Sequence, residues 1–510
     1  MTTEQHSPRT NIRYRIVLVS ILMAFGLYLT RVSVGEIVKS DSFLKDQRII
    51  ANPSTRFSVE LSSVEDVTAF QSKIQSTAAP ATTASSDAAA PKSLTLPMTW
   101  KDGLTRQEAE ETLNQIESAG GEGKAKISKQ QIGSVLGAFF FTYALFQVPA
   151  GWFSDRLGAR KVLSSYIFLW SLLTGITGMV TGLYGLMFAR LGFGVTQAGA
   201  YPTSSAIVRR WFPLSERGNA SAFISLGGRC GGTVAPFLTT LLILNAGGWR
   251  MTLWIYAIMG IVIAAAYYFV VRDRPTEHPA CSNGERDWIG PEPVQDEATS
   301  QSLFAILLKI CRNPSLTLNS IEQFCINIGW AYLITWLPTY LKEVQKVSDS
   351  QGALMVSIVL GMGMLGQLVG GYAADWSVKR FGLRIGRVVP ITTSTWIAGC
   401  AYLLCLKMDS AWGVVACCAV VSMMTDVGNP SIWAFMQDIG GRNTGAIFGW
   451  ANMWGNFGAA FSSKLVPFIL AYGSSLMPGQ TLVFLTCAGA FFVAGLVALG
   501  MNATQPLYKS

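Results

Sequence analysis

Runs of about 20 mostly apolar residues recur from one end of this 510-residue chain to the other. A hydrocarbon core roughly 30 Å thick is crossed by about that many helical residues at ~1.5 Å each, so the run length dictates a multi-pass membrane fold. Half of the residues are hydrophobic and only 14% are charged, which excludes an ordinary soluble domain. Twelve crossings are predicted, over 16–38, 130–152, 162–182, 183–208, 219–244, 250–271, 317–341, 351–374, 388–406, 411–436, 443–471 and 479–501. Lipid offers the backbone no hydrogen-bond partner, so each crossing is expected to be a helix and the fold class all-α. The first is too long and too polar at its end for a cleaved leader, and is expected to remain.

The formal net charge of +9 does not point to nucleic acid, because the basic residues cluster in short connections. These are "DRLGARK" at 155–161, "RRWFPLSER" at 209–217 and "VKRFGLRIGR" at 378–387. They are alternate loops, so the positive-inside rule assigns them, with both termini, to the cytoplasm. The expected organisation is then a short N-terminus (1–15), a first six-helix half (16–271), a cytoplasmic connector (272–316), a second half (317–501) and a short C-terminus (502–510). Residues 39–129 form a long outward loop whose middle, "STAAPATTASSDAAAPKS", has a low-complexity, disorder-prone composition. Its flanks, 64–75 and 105–120, have the pattern of short amphipathic helices. The nine cysteines mostly lie inside crossings, without pairing or metal spacing.

The halves echo each other. "GWFSDRLGARK" after the second crossing and "GYAADWSVKRFGLRIGR" after the eighth share a Gly, three residues, an Asp and a basic cluster, offset by 220 residues. Gly151 and Gly371 allow close helix approach, while Asp155, Arg156, Arg160 and Asp375 can brace neighbouring helix ends as a conformational gate. Two repeated six-helix halves are the plan of transporters with a central site near the bilayer midplane.

Arg31 lies about 22 Å up the first crossing, with no acidic residue within four positions. An intramembrane arginine is costly and by default marks a substrate path, and its planar fork suits a carboxylate. The alternative is an arginine that locks the helix by bonding carbonyls. Gln147 shares a face of the second crossing with Tyr143, four residues away. Trp336 and Tyr332 on the seventh could stack on a substrate or simply pack.

The segments "YLTR" (28–31), "FTYALFQVPAGWFSDRLGARK" (141–161), "AGAYPTSSAIVRRWFP" (198–213), "TWLPTYL" (335–341) and "DIGGRNTGAIFGWANMWGNFG" (438–458) resemble the anion:cation symporters of the major facilitator superfamily. That resemblance spans nearly the whole chain. It implies alternating access by two rocking halves and an organic-anion substrate, most plausibly a sugar acid of the hexuronate, aldonate or aldarate type. It implies substrate contact by Tyr28, Arg31, Tyr143, Arg190, Asn452 and Asn456, with packing as the competing role for Tyr143 and the asparagines. The loop lacks a usable N-glycosylation sequon, since Asn52 precedes Pro53, which favours the family's bacterial members and an inner-membrane location.

The chain departs from the family at two places. Where proton-coupled members carry an Asp before the first-helix arginine and a Glu seven residues after the fourth-helix arginine, it has Thr30 and Gln197. Neither titrates. Asp426, isolated in the tenth crossing, is the expected replacement, and Glu322 in the seventh its rival. Capping or pairing at a helix break is the other role for Asp426. Partners expected are a small organic anion, a coupling proton or sodium ion and the bilayer, around a monomeric chain without a cofactor; the alternatives are an uncoupled or sodium-coupled transporter or exchanger of another carboxylate or phosphate, and a sensor built on a transporter fold. An enzyme is disfavoured, since the two histidines, His6 and His278, lie outside the crossings and no metal-ligand grouping or P-loop occurs.

Overall fold

The computed structural model describes residues 9–38, 40, 43, 57–61, 78–80, 94–100, 129–180, 182–290, 302–473 and 478–507. The first half holds α1 (Ile12–Ile37), α2 (Lys129–Leu157), α3 (Ala159–Thr177), α4 (Leu183–Ala198) with α5 (Ala200–Trp211), α6 (Arg217–Asn245) and α7 (Trp249–Val270). The connector carries α8 (Asn283–Ile289) and α9 (Leu303–Arg312). The second half holds α10 (Pro314–Ala331), a π-helical turn (Tyr332–Trp336), α11 (Leu337–Glu343), α12 (Asp349–Cys405), α13 (Ala411–Gly440), α14 (Thr444–Ala471) and α15 (Gly479–Ala498).

Three joins convert this order into twelve crossings. α4 and α5 form one crossing that bends at Gly199, against which the Tyr166 ring packs. α10, the π turn and α11 form another. α12 is two crossings run together across Gly382, whose φ of 76° lies in the left-handed region that only glycine enters cheaply. Gly158, at the corresponding corner between α2 and α3, has φ 90°.

Each helix pairing in the first half recurs six crossings later. α1 packs on α6, α2 on α4, and α3 on α7; α10 packs on α14, the first arm of α12 on α13, and its second arm on α15. Glycines make the closest of these pairings possible. A Cβ on Gly227 would sit 2.6 Å from the Ile21 carbonyl oxygen, so α6 lies directly on the backbone of α1.

The connector differs from the plain polar link expected over 272–316. Besides α8 and α9, the seventh crossing begins at Pro314, where the Asn313 side chain accepts a hydrogen bond from the Leu316 N–H (3.1 Å). α8 is fastened beneath the first half. The fully buried Glu285 carboxylate accepts from the Ile12 and Arg13 N–H groups (both 3.2 Å), from Thr10 Oγ1 (2.7 Å) and from Arg13 Nη1 (3.1 Å). It thereby caps α1, whose own N-cap residue Asn11 contributes no side-chain bond.

In the long loop, β1 (Phe57–Leu61), β2 (Ala78–Pro80) and β3 (Leu94–Trp100) form an antiparallel sheet in the order β1-β3-β2, with Phe57 opposite Met98 and Ala78 opposite Trp100. β2 therefore falls within the low-complexity stretch that was expected to be disordered. The two amphipathic stretches lie outside the described residues.

Removing the Glu285 carboxylate strips α1 of its cap and leaves the buried Arg13, 5% exposed, leaning on the partly exposed Glu216 at 3.4 Å. Breaking one side of a buried pair costs about 3–5 kcal/mol. Glu285→Ala is therefore expected to lower the thermal unfolding midpoint in detergent by several degrees, whereas Glu277→Ala, on the exposed turn nearby, leaves it unchanged.

Candidate functional site

The site is built where α1, α2 and α4 converge. In α1, Thr30 Oγ1 bonds back to the Gly26 and Leu27 carbonyls (2.9 and 3.0 Å). Gln197, fully buried at the end of α4 just before the Gly199 bend, donates from Nε2 to the Leu27 carbonyl (3.2 Å) and Thr30 Oγ1 (3.3 Å). Its Oε1 then faces Arg31 and accepts from Nε at 3.2 Å. The amide thus fastens α4 to α1 and orients the arginine, which bonds a side-chain amide here rather than carbonyls.

Around that contact the guanidinium is boxed by aromatic faces. Arg31 lies over the rings of Tyr143 (4.4 Å), Tyr28 (4.9 Å) and Phe139 (5.1 Å). Arg190, 4% exposed, lies over Phe139 (5.3 Å) and Phe193 (5.1 Å). The two cations share the Phe139 ring. Ring faces partly offset the burial of a cation but do not satisfy its directed N–H groups. Arg31 Nη2 and Arg190 Nε are buried without a hydrogen-bond partner, and neither arginine is paired with an acid among the described residues. Such donors are oriented to receive an anion.

A second group comes from the facing half. Asn452 on α14 donates to Gln147 Oε1 across the interface (2.7 Å), while Gln147 Nε2 remains unpartnered. Asn456 turns its amide back onto the Asn452 carbonyl (2.7 Å). Trp336, at the end of the π turn, is half-buried with Nε1 unpartnered. Tyr332 instead packs in the core of the second half against Tyr402 and Phe484.

The carboxylates divide differently. Asp426 Oδ1 accepts from Arg229 Nη2 at 2.6 Å and from Gln367 Nε2 at 3.1 Å, and Arg229 lies over the Trp330 ring (4.9 Å). Arg229 thus reaches from the first half into the second. Composition gave no sign of the pairing, but depth does: Arg229 is 12 residues from the start of α6 at Arg217, and Asp426 is 14 from the end of α13 at Gly440. Glu322, fully buried, accepts from Asn319 (3.3 Å) and Gln323 (3.0 Å), with Oε1 unpartnered.

At one end the halves are joined by a reciprocal device. Asp155 accepts from the N–H groups of Gly445 and Ala446 (both 2.9 Å), at the start of α14. Asp375 accepts from the N–H groups of Gly218 (2.8 Å) and Asn219 (2.9 Å), at the start of α6. Each repeated aspartate caps a helix of the opposite half. Gly151 and Gly371 let the backbones meet there: a Cβ on Gly371 would lie 2.7 Å from the Ala222 Cβ. Asp438 completes the seal with Arg217 (2.6 Å) and Arg387 (2.8 Å). The basic partners of the motif face elsewhere. The Arg160 guanidinium donates to the Tyr268 carbonyl within the first half (2.7 Å) while its backbone N–H donates to Asp273, and Arg156 lies over Trp152.

A profile described as the Major Facilitator Superfamily matches residues 67–463. A probable sulfoacetate transporter of Cupriavidus necator is 28% identical, covering 74% of this chain and 86% of its own. A probable galactarate/D-glucarate transporter of Bacillus subtilis is 27% identical, covering 73% and 81%. The solved structure of the human organic anion transporter TETRAN superposes with a TM-score of 0.59 over 95% of this chain and 99% of that one, at 14% identity. At that identity the shared property is the fold.

The two aspartate caps hold the closed end, and a charged N-cap is worth about 0.5–2 kcal/mol. Replacing both, as Asp155→Ala with Asp375→Ala, is expected to shift the equilibrium by roughly ten-fold or more toward a state open at this end. Spin labels at the exposed Leu157 and Phe381 report it: a longer-distance population grows in the double variant. An unchanged distance distribution removes the caps from the gate.

Proposed function

The chain belongs to the Major Facilitator Superfamily and is a multi-pass membrane transporter rather than an enzyme; from that premise we propose that its cargo is an organic acid with two negative charges, held between Arg31 and Arg190. One observation carries this reading: the half-buried Arg31 and buried Arg190 lie over a common ring, each with a buried N–H donor unpaired and, among the described residues, no acid beside them. Arginine forks match carboxylate and sulfonate oxygens in pairs. The printed names of relatives point the same way, since sulfoacetate, galactarate and glucarate each carry two acidic groups. Gln147 Nε2, the Asn452 and Asn456 side chains and the Trp336 N–H supply neutral contacts from the interface for hydroxyl groups along the chain of a sugar acid.

The orientation follows from charge. The basic connections at 155–161, 209–217 and 378–387 all belong to the sealed end, which the positive-inside rule assigns to the cytoplasm of the inner membrane. The state described is then closed toward the cytoplasm, with Arg31 above the seal. Opening the seal while closing above the substrate completes alternating access.

A second reading concerns coupling. Asp426 bridges the halves through Arg229, so a proton on Asp426 would release that bridge and link reorientation to pH. In that case Asp426→Asn loses uphill accumulation driven by a proton gradient but keeps substrate binding. If accumulation persists, Glu322→Gln is the next variant to assay.

For the substrate site, Arg31→Lys retains the charge but not the fork. A hydrogen bond to a charged group is worth about 1.5–3 kcal/mol. Titration calorimetry with D-glucarate and sulfoacetate is expected to show roughly ten- to hundred-fold weaker binding in Arg31→Lys. Parent-like affinity in that variant takes Arg31 out of the site.

A further inference from the structure

The charge balance of the site constrains how the empty transporter can return. Arg229 is neutralised by Asp426 at 2.6 Å, but Arg31 and Arg190 have no carboxylate of their own among the described residues. The side chain bonded to Arg31 is the Gln197 amide, and the one beneath that amide is the Thr30 hydroxyl. An acid at either place could swing onto Arg31 when the substrate leaves. An amide and a hydroxyl cannot, at any pH. The arginines do not give up their protons either, so both charges persist in every state of the cycle.

During the crossing between outward and inward states the halves close on both sides and the site loses its water. A cation desolvated without a counter-ion is strongly disfavoured. Loaded with a dianion, the closing site is neutral; loaded with a monoanion it keeps one uncompensated charge; empty it keeps two. The rate of crossing should follow that order. Glu322 offers no relief, being hydrogen-bonded to Asn319 and Gln323 instead.

Building on the dianion reading above, we infer that this protein is an obligate exchanger of organic dianions: it reorients when loaded and is arrested when empty. One dianion enters for each that leaves. Swapping equal charges moves no net charge, so the driving force is the gradient of the counter-substrate rather than the membrane potential or a proton gradient.

The test uses the purified full chain in proteoliposomes, with labelled D-glucarate and with sulfoacetate as probes, after a thermal-shift assay of binding to each. Uptake into vesicles preloaded with the same dianion is expected to exceed uptake into empty vesicles by roughly ten-fold or more. Preloading with the monoanion D-gluconate should not substitute, and an imposed pH gradient or potassium diffusion potential should change the exchange rate by less than about two-fold. The Gln197→Glu variant, which places an acid beside Arg31, is expected to raise uptake into empty vesicles toward the preloaded rate. Thr30→Asp is the alternative should Gln197→Glu fail to purify as a folded protein. Binding of a probe with equal uptake into empty and preloaded parent vesicles, or accumulation driven by a pH gradient, overturns exchange while leaving the dianion site standing. Absence of binding by either probe sinks the dianion reading and exchange with it.

Discussion

Two carboxylates at helix ends hold the molecule in its present shape. A helix begins with N–H groups that its own turns cannot satisfy. In α14 and α6 those groups are given to Asp155 and Asp375, each supplied by the other half. Because the donors are backbone, the contact specifies position as well as charge: α2 must meet α14, and α12 must meet α6, at one height. The contacts higher in the interface inherit that register, including Gln147 with Asn452 and Arg229 with Asp426. Rocking the halves requires water to take over every one of these donors, so the closed end resists opening without any covalent link.

Inside the site the decisive contrast lies between charges that are balanced within the protein and charges that are not. Arg229 crosses the interface to reach its carboxylate, and Arg387 and Arg217 share Asp438. Arg31 and Arg190 are met instead by aromatic rings and one amide. Among the described residues, the arginines that join the halves are thus paired with carboxylates, whereas Arg31 and Arg190 are not. Gln197 is central to that division, because its oxygen accepts from Arg31 while its amide nitrogen donates to Leu27 and Thr30, so it holds the arginine without adding a charge.

The crossings and the repeat were legible in the sequence because the bilayer sets the run length and because the motif around Asp155 returns around Asp375. Arg31 was legible for a related reason: a lone charge in an apolar run has few structural uses. What stayed hidden depended on neighbours distant along the chain. Arg229 lies among glycines, and only a depth matching that of Asp426 points to its partner. Phe139, which carries both site cations, was one more aromatic in an apolar run. For Tyr332 the sequence leaves stacking on a substrate and packing both open, and the structure has it packed in the Tyr402–Phe484 core. Glu285 sits in a polar stretch that reads as mere connection, and no local pattern reveals that its carboxylate caps α1, more than 270 residues away.

That cap also settles how α1 can move. A helix pinned at its foot by four hydrogen bonds to one buried carboxylate can tilt about that foot but cannot slide along its axis like a piston. The height of Arg31 above the foot of α1 is therefore fixed within the first half. The same anchor makes α8 part of the first half's rigid body.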